Sequence, residues 1–140
     1  MVNSYRDLVA WQRAFALADL CLDVADLVAR RQPALAEQIR RSSVSVASNI
    51  AEGNGRLSLG DYLRFLRIAH GSLRELETQL LLAQARQRYA PPKLTAALHG
   101  VTEVGRLLGG LMRSLAQLQE RRARAEKGDG SSSLPPPPGS

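Results

Sequence analysis

Few side chains in this 140-residue chain could carry out chemistry: one cysteine, two histidines and thirteen acidic residues. A di-metal site in a helical protein needs Glu-x-x-His pairs, and neither His70 nor His99 follows a glutamate at that spacing. Cys21 lies on an aliphatic stripe far in sequence from both histidines, which favours a buried thiol over a nucleophile. The segment 53–56, GNGR, lacks the lysine of a phosphate-binding P-loop. We therefore expect no metal, no cofactor and no enzymatic activity.

The arginines are the best indication of a binding partner. Nineteen Lys and Arg against thirteen Asp and Glu give a net charge of +6, which favours a polyanion such as RNA or DNA. Aromatic residues do not alternate with the arginines, so the pattern predicts salt-sensitive contacts to the phosphate backbone rather than base stacking. A solvated charged surface is the alternative. The predicted contact residues are Arg40, Arg41, Arg56, Arg64, Arg67 and Arg74.

One acidic residue is predicted to be buried. On an ideal helical wheel Glu77 lies about 20° from Leu66, inside an apolar helix face, where a carboxylate without a partner would be costly. We expect Ser43 and Asn49 of the preceding helix, or an arginine such as Arg41, to supply its hydrogen bonds. A binding-site role for Glu77 is the alternative to this structural polar network.

The first helix, predicted from about Tyr5 to Arg30, carries two apolar stripes. The stripe predicted to face the core comprises Leu8, Trp11, Phe15, Ala18, Leu22 and Ala25. The second stripe widens the apolar arc to roughly 200°, more than one bundle core normally uses. This surplus predicts an interface between subunits of a homo-oligomer, with a plain surface of small residues as the alternative. The predicted interface residues are Leu17, Cys21, Val24 and Val28.

The second helix is predicted from Pro33 to Glu52, because the following segment 53–55, GNG, favours a left-handed helix C-cap. The third is predicted to begin at the capping residue Ser58 and to run to about Arg88.

The prolines at 91 and 92 separate the third helix from a fourth. Four helices with short connections predict an all-α, antiparallel up-down-up-down four-helix bundle over residues 1–127. Residues 128–140 are rich in Pro, Ser and Gly and are predicted to form a disordered tail. Its proline run is either a ligand for a partner or inert.

The sequence also bears on location. It contains no apolar run long enough to span a bilayer and no signal-peptide core near its N-terminus. A single cysteine excludes an intramolecular disulfide and is typical of a reducing compartment. We therefore expect a soluble cytoplasmic protein without membrane contacts.

Three segments resemble a known family: Trp11 with Ala14, QIRRSSVSVASNIAEGNGR at 38–56, and SLGDYLRFLRIAHGSLRELETQL at 58–80. The chain is similar in these segments to bacterial four-helix bundle proteins encoded in intervening sequences of 23S rRNA genes, which are sometimes labelled ribosomal proteins. The similarity covers nearly everything before the tail. The family pattern places motif positions, without catalytic roles, at Arg40, Arg41, Asn49, Glu52, Gly53, Arg56, Arg64, Glu75 and Glu77.

The resemblance implies a non-enzymatic bundle that associates as a homopentamer. A more distant branch of similar proteins comprises the accessory proteins of diversity-generating retroelements, which bind a reverse transcriptase and nucleic acid. The sequence therefore predicts an oligomeric bundle that binds the RNA or DNA backbone or serves as a ribonucleoprotein accessory. The alternative is a protein-interaction scaffold without nucleic-acid binding, including a role as partner of a reverse transcriptase.

Overall fold

The computed structural model describes residues 4–86, 91–132 and 138–139. A short 3₁₀ helix, Tyr5–Asp7, precedes four α-helices. No strand occurs in the described part of the chain, so the predicted all-α, four-helix fold is confirmed. The four helices are α1 Val9–Ala29, α2 Pro33–Asn54, α3 Leu59–Arg86 and α4 Pro92–Ser132.

Salt bridges between α1 and α4 show that these helices are antiparallel. Lys93 Nζ lies 3.0 Å from Asp23 Oδ2, and Glu103 Oε1 lies 3.1 Å from Arg13 Nε. Ten residues forward along α4 therefore correspond to ten residues backward along α1. Each helix packs against its sequence neighbours, and α4 closes the bundle against α1.

The core face of α1 differs from the prediction. The four residues predicted to form a subunit interface, Leu17, Cys21, Val24 and Val28, are all buried within the single chain and belong to its main core. In contrast, Phe15 is 56% exposed. The physical reason is the acidic face: the interface residues lie opposite Asp19, Asp23 and Asp26 on the helix, and a core forms farthest from the charges.

The turn after α2 also differs from the prediction. The helix continues through Gly53 to Asn54, and Gly55 at its C-cap has φ −81°, so no left-handed cap forms. A glycine is needed at 53 for another reason: a Cβ there would lie 2.9 Å from Phe65 Cβ and 3.2 Å from the Tyr62 carbonyl oxygen. Gly53 thus permits the close approach of α2 to α3.

The predicted start of α3 is confirmed. The Ser58 hydroxyl accepts a hydrogen bond from the Asp61 backbone N–H at 3.1 Å, as an N-capping serine does. Buried residues recur along α3 at three- and four-residue steps and face the core. The predicted end at Arg88 lies outside the described residues, and the helix is described to Arg86.

Helix α4 is longer than the other three. A Cβ on Gly60, near the start of α3, would lie 3.6 Å from Gln119 Nε2, so the bundle ends about level with Gln119. The helix continues to Ser132, about 20 Å farther, which places residues 128–132 of the predicted tail in a helix. Residues 133–137 and 140, also part of that tail, lie outside the described residues.

Candidate nucleic-acid interface

Four of the six predicted contact arginines form ion pairs. Arg40 Nη2 lies 3.0 Å from Asp26 Oδ1 and links α2 to α1. The other three are paired within their own segments: Arg41 with Glu37 at 3.8 Å, Arg56 with Glu52 at 2.7 Å, and Arg64 with Asp61 at 3.7 Å. Each pair compensates the charge of its arginine, so these four contribute less to the attraction of a polyanion.

Two of the paired arginines also pack on one aromatic ring. The guanidinium carbons of Arg56 and Arg64 lie 4.5 and 4.7 Å from the centroid of the Phe65 ring. Cation–π contacts at exposed sites contribute roughly 0.5–1 kcal/mol each. Because Phe65 also contacts Gly53, these arginines brace the corner between α2 and α3. Their role in the fold accounts for their positions without a ligand.

The two remaining predicted residues, Arg67 and Arg74, have no ion-pair partner among the described residues and are exposed. They lie on the side of α3 that faces α4. Arg74, His70 and Glu77 line a shallow cleft of about 260 Å³ together with Thr102 and Gly105 of α4. Arg67 lies one turn before His70 on the same face.

Two arginines of α4, which the sequence reasoning missed, join this surface. Arg106 follows Thr102 by four residues and Arg113 follows Arg106 by seven, so all three lie on the same helix face. Neither arginine has an ion-pair partner in the described ranges. A Cβ on Gly105 would lie 3.6 Å from Leu73 Cδ2, which fixes the antiparallel register. This register places Arg106 within about 3 Å of the level of Arg74, and Arg113 equally close to that of Arg67.

We name these four residues the α3–α4 arginine face: Arg67, Arg74, Arg106 and Arg113. Positions seven residues apart are separated by about 10 Å along each helix, and packed helix axes lie about 8–10 Å apart. Four positive charges without an ion-pair partner among the described residues therefore share an area about one Debye length across at 0.1 M salt. The acidic residue at its edge is Glu77, which lines the same cleft as Arg74.

The predicted polar network around Glu77 does not form. Glu77 is exposed, and the Ser43 hydroxyl donates to the Arg40 carbonyl oxygen at 3.1 Å. Asn49 Nδ2 instead donates to the Ser45 carbonyl and hydroxyl oxygens. The ideal wheel failed because a seven-residue apolar repeat drifts by about 20° per heptad, which leaves Glu77 beside the buried stripe rather than in it.

Two polar contacts join α2 to α3: Asn54 Nδ2 donates to the Tyr62 hydroxyl at 3.2 Å, and a pair of serines meets farther along the helices. The hydroxyl oxygens of Ser45 and Ser72 lie 2.8 Å apart, and Asn49 supports Ser45 from one turn farther along α2. Both serines are half-buried. This pair therefore provides the register contact that was predicted for Glu77.

The Cys21 thiol is buried away from the cleft that His70 and Glu77 line. Burial raises the pKa of the Cys21 thiol from 9.0 to about 12, so the reactive thiolate is disfavoured. Among the described residues, no three His, Cys, Asp or Glu side chains converge as a metal site would require. The arginines of this surface give it the charge of a binding surface.

A second exposed feature lies between α1 and α2. Trp11 packs against Tyr5 and Phe15, with ring centroids 5.1 Å apart in both pairs. These rings and the exposed side chains of Leu22 and Val44 line an apolar groove of about 350 Å³. We name it the α1–α2 groove. It contains the part of the predicted core stripe that the bundle leaves at the surface.

No described helix combines the length and the apolar character needed to cross a membrane. The model of the 23S rRNA-intervening sequence protein family matches residues 6–110, three quarters of the chain. The chain belongs to this family.

Its fold also occurs in a solved member of the S23 ribosomal protein family, a protein of unknown function from Bacteroides thetaiotaomicron. That structure shares 23% sequence identity with the chain, has a TM-score of 0.69, and matches 74% of this chain and 98% of its own length. At this identity the similarity concerns the fold alone. No curated protein matches the chain.

The predicted resemblance to the 23S rRNA-intervening sequence protein family is thereby confirmed. The match to the family ends at residue 110, inside α4. Arg113 and the rest of α4 lie beyond that match. The positions Glu52, Gly53 and Arg56, which the resemblance marked as motif positions, form the packed corner between α2 and α3.

Proposed function

We propose that this member of the 23S rRNA-intervening sequence protein family is a non-enzymatic, cytoplasmic protein that binds RNA or DNA through the phosphate backbone, as a nucleic-acid-binding or ribonucleoprotein accessory module. The binding surface is the α3–α4 arginine face. The observation that supports it is the contrast between these four arginines, which have no ion-pair partner in the described chain, and the paired arginines of α2 and the α2–α3 corner.

Charge compensation favours a polyanion at this face. Unpaired guanidiniums on an exposed helix face repel one another weakly, and a row of phosphates relieves this repulsion while releasing bound counterions. Arginine is suited to this role because its planar fork contacts two phosphate oxygens at once. The face carries no aromatic platform, so the contacts carry little sequence information.

A salt titration of binding tests the proposal. The wild-type protein is titrated with structured RNA and with duplex DNA, and the logarithm of the affinity is plotted against that of the salt concentration. Four phosphate contacts predict a slope of about −3.6 or steeper. Absence of binding at low salt, or an affinity that does not change with salt, would refute the proposal.

Matched double variants locate the surface. Arg67→Gln with Arg74→Gln removes two charges from the face and should make the slope shallower by about 1.8. Arg30→Gln with Arg31→Gln removes the same charge at the exposed α1–α2 turn and should leave the slope unchanged. If the salt slope becomes equally shallow in both variants, net charge rather than this face drives binding.

The α1–α2 groove supports a second function, that of a protein-interaction scaffold without nucleic-acid binding. Phe15, Leu22 and Val44 are 56%, 40% and 47% exposed, and such an apolar patch is typical of a protein-binding surface. We propose that self-association, predicted as a pentamer, uses this groove rather than the buried residues Leu17 and Val24. A reverse transcriptase is the other partner that the resemblance implies. Light scattering of wild type and Phe15→Glu tests the self-association: a monomeric wild type would refute it.

A further inference from the structure

The part of α4 that projects beyond the bundle is exposed on all sides. Every residue from Gln119 to Gly128 is exposed, because α1, α2 and α3 all end before this level. The apolar stripe of α4 ends at Leu118, so no hydrophobic face of this segment requires cover. We name residues 119–128 the overhang. Its surface is made of charged, polar and small side chains.

The cations of the overhang continue the α3–α4 arginine face. At about 100° per residue, Arg124 lies within about 20° of Arg106 and Arg113 around the helix axis. Arg121 and Lys127 lie within about 60° of Arg124, on either side. Arg122 points about 160° away from Arg124, to the opposite side of the helix.

The two sides of the overhang differ in charge. The side that continues the arginine face carries three cations and one carboxylate, Glu120, which lies 4.0 Å from Arg124 Nη2. Both members of this pair are exposed and the contact is long, so solvent screens most of it. The opposite side carries Arg122 and Glu126, whose charges cancel. The asymmetry aligns the positive side of the overhang with the arginine face.

We propose that the overhang extends the α3–α4 arginine face into one basic ridge that lies along the phosphate backbone of double-helical nucleic acid. This inference rests on the proposed function and adds the class of ligand. From Arg106 to Lys127 the ridge rises about 32 Å along one continuous helix, and one turn of duplex DNA, roughly 34 Å long, presents the phosphates of both strands over such a length. The row of cations carries no stacking rings of the kind that single-strand binding uses, which favours the regular phosphates of a duplex.

The ridge has seven cations that can contact phosphates: the four of the arginine face with Arg121, Arg124 and Lys127. Seven contacts predict a salt slope of about −6. The variant Arg124→Gln with Lys127→Gln should make this slope shallower by about 1.8 and weaken binding by about 60-fold at 0.1 M salt. The control Arg122→Gln with Arg31→Gln loses the same charge and should keep the salt slope and the affinity of the wild type.

The 140-residue proteins are titrated with duplex DNA, duplex RNA and a single strand of equal length, and far-UV circular dichroism checks helicity. Tighter binding of a duplex, with loss in the Arg124/Lys127 variant alone, supports the ridge. The inference fails if wild type binds but the Arg124/Lys127 variant has the wild-type affinity, or if the control loses as much affinity as this variant. The overhang is then not part of the binding surface, while the proposed function stands. Tighter binding of the single strand overturns the assignment to duplexes. A wild type that binds nothing refutes the proposed function itself.

Discussion

The close contact at Gly53 makes a prediction about stability that can be worked out from distances. In Gly53→Ala the new methyl group would lie 2.9 Å from Phe65 Cβ, 3.1 Å from a Tyr62 ring carbon and 3.2 Å from the Tyr62 carbonyl oxygen. Neither a Cβ nor a backbone oxygen can move aside unless α3 shifts. Overpacking of this kind costs about 1–3 kcal/mol, of which the higher helix propensity of alanine offsets up to about 1 kcal/mol. With the full offset, we expect a net loss of up to about 2 kcal/mol.

Gly71 provides the matched control. It lies within α3, and a Cβ there would have no atom within 4 Å, so Gly71→Ala changes helix propensity alone. We expect this variant to gain about 0.5–1 kcal/mol. Urea unfolding followed by circular dichroism measures both, and the two midpoints should move in opposite directions at similar m-values. A Gly53→Ala protein as stable as Gly71→Ala would refute the packing argument.

The remaining predictions concern the core and the polar contacts. Cys21 should not react with a thiol reagent until the protein unfolds. Because burial raises the pKa of its thiol from 9.0 to about 12, its contribution to stability is complete below pH 9 and is lost as the pH rises towards 12. Cys21→Ala should remove this alkaline loss of stability in a series of denaturation measurements. In a double-mutant cycle, Ser45→Ala and Ser72→Ala should show a coupling of about 0.5–1 kcal/mol, and additive losses would mean that the 2.8 Å contact contributes nothing. Leu17→Ala should cost about 2–5 kcal/mol and Phe15→Ala about 1 kcal/mol, whereas the reverse order in urea unfolding would contradict the core face of α1.

The general architecture was predictable because its signals are local. The capping serine at 58, the proline at 33 and the heptad-like repeat of α3 each specify an element without knowledge of its neighbours. The face of α1 that is buried was harder to predict, because the helix carries two apolar stripes and either could face the core. The position of the three aspartates was the usable signal, since the residues farthest from them are the ones buried.

The sequence predicts that the candidate site is built from arginines, but it does not predict which arginines belong to it. A sequence shows where the arginines are, yet it does not show which of them find a carboxylate across a helix interface, as Arg40 does with Asp26. Placing Arg106 beside Arg74 required the register between α3 and α4, which depends on the packing of Leu73 against Gly105. Long-range register of this kind is set by tertiary contacts and not by local periodicity.

The unequal length of α4 divides one continuous helix into two regions of different local stability. From Leu94 to Leu108 its inward side chains are buried, so the backbone amides there open only when the bundle itself opens. From Gln119 to Gly128 every residue is exposed, and the turns of this segment depend on intrahelical hydrogen bonds. Its amides therefore exchange with solvent through local fraying. A ligand that covers the overhang would slow that exchange, which makes this end of the helix a built-in reporter of binding.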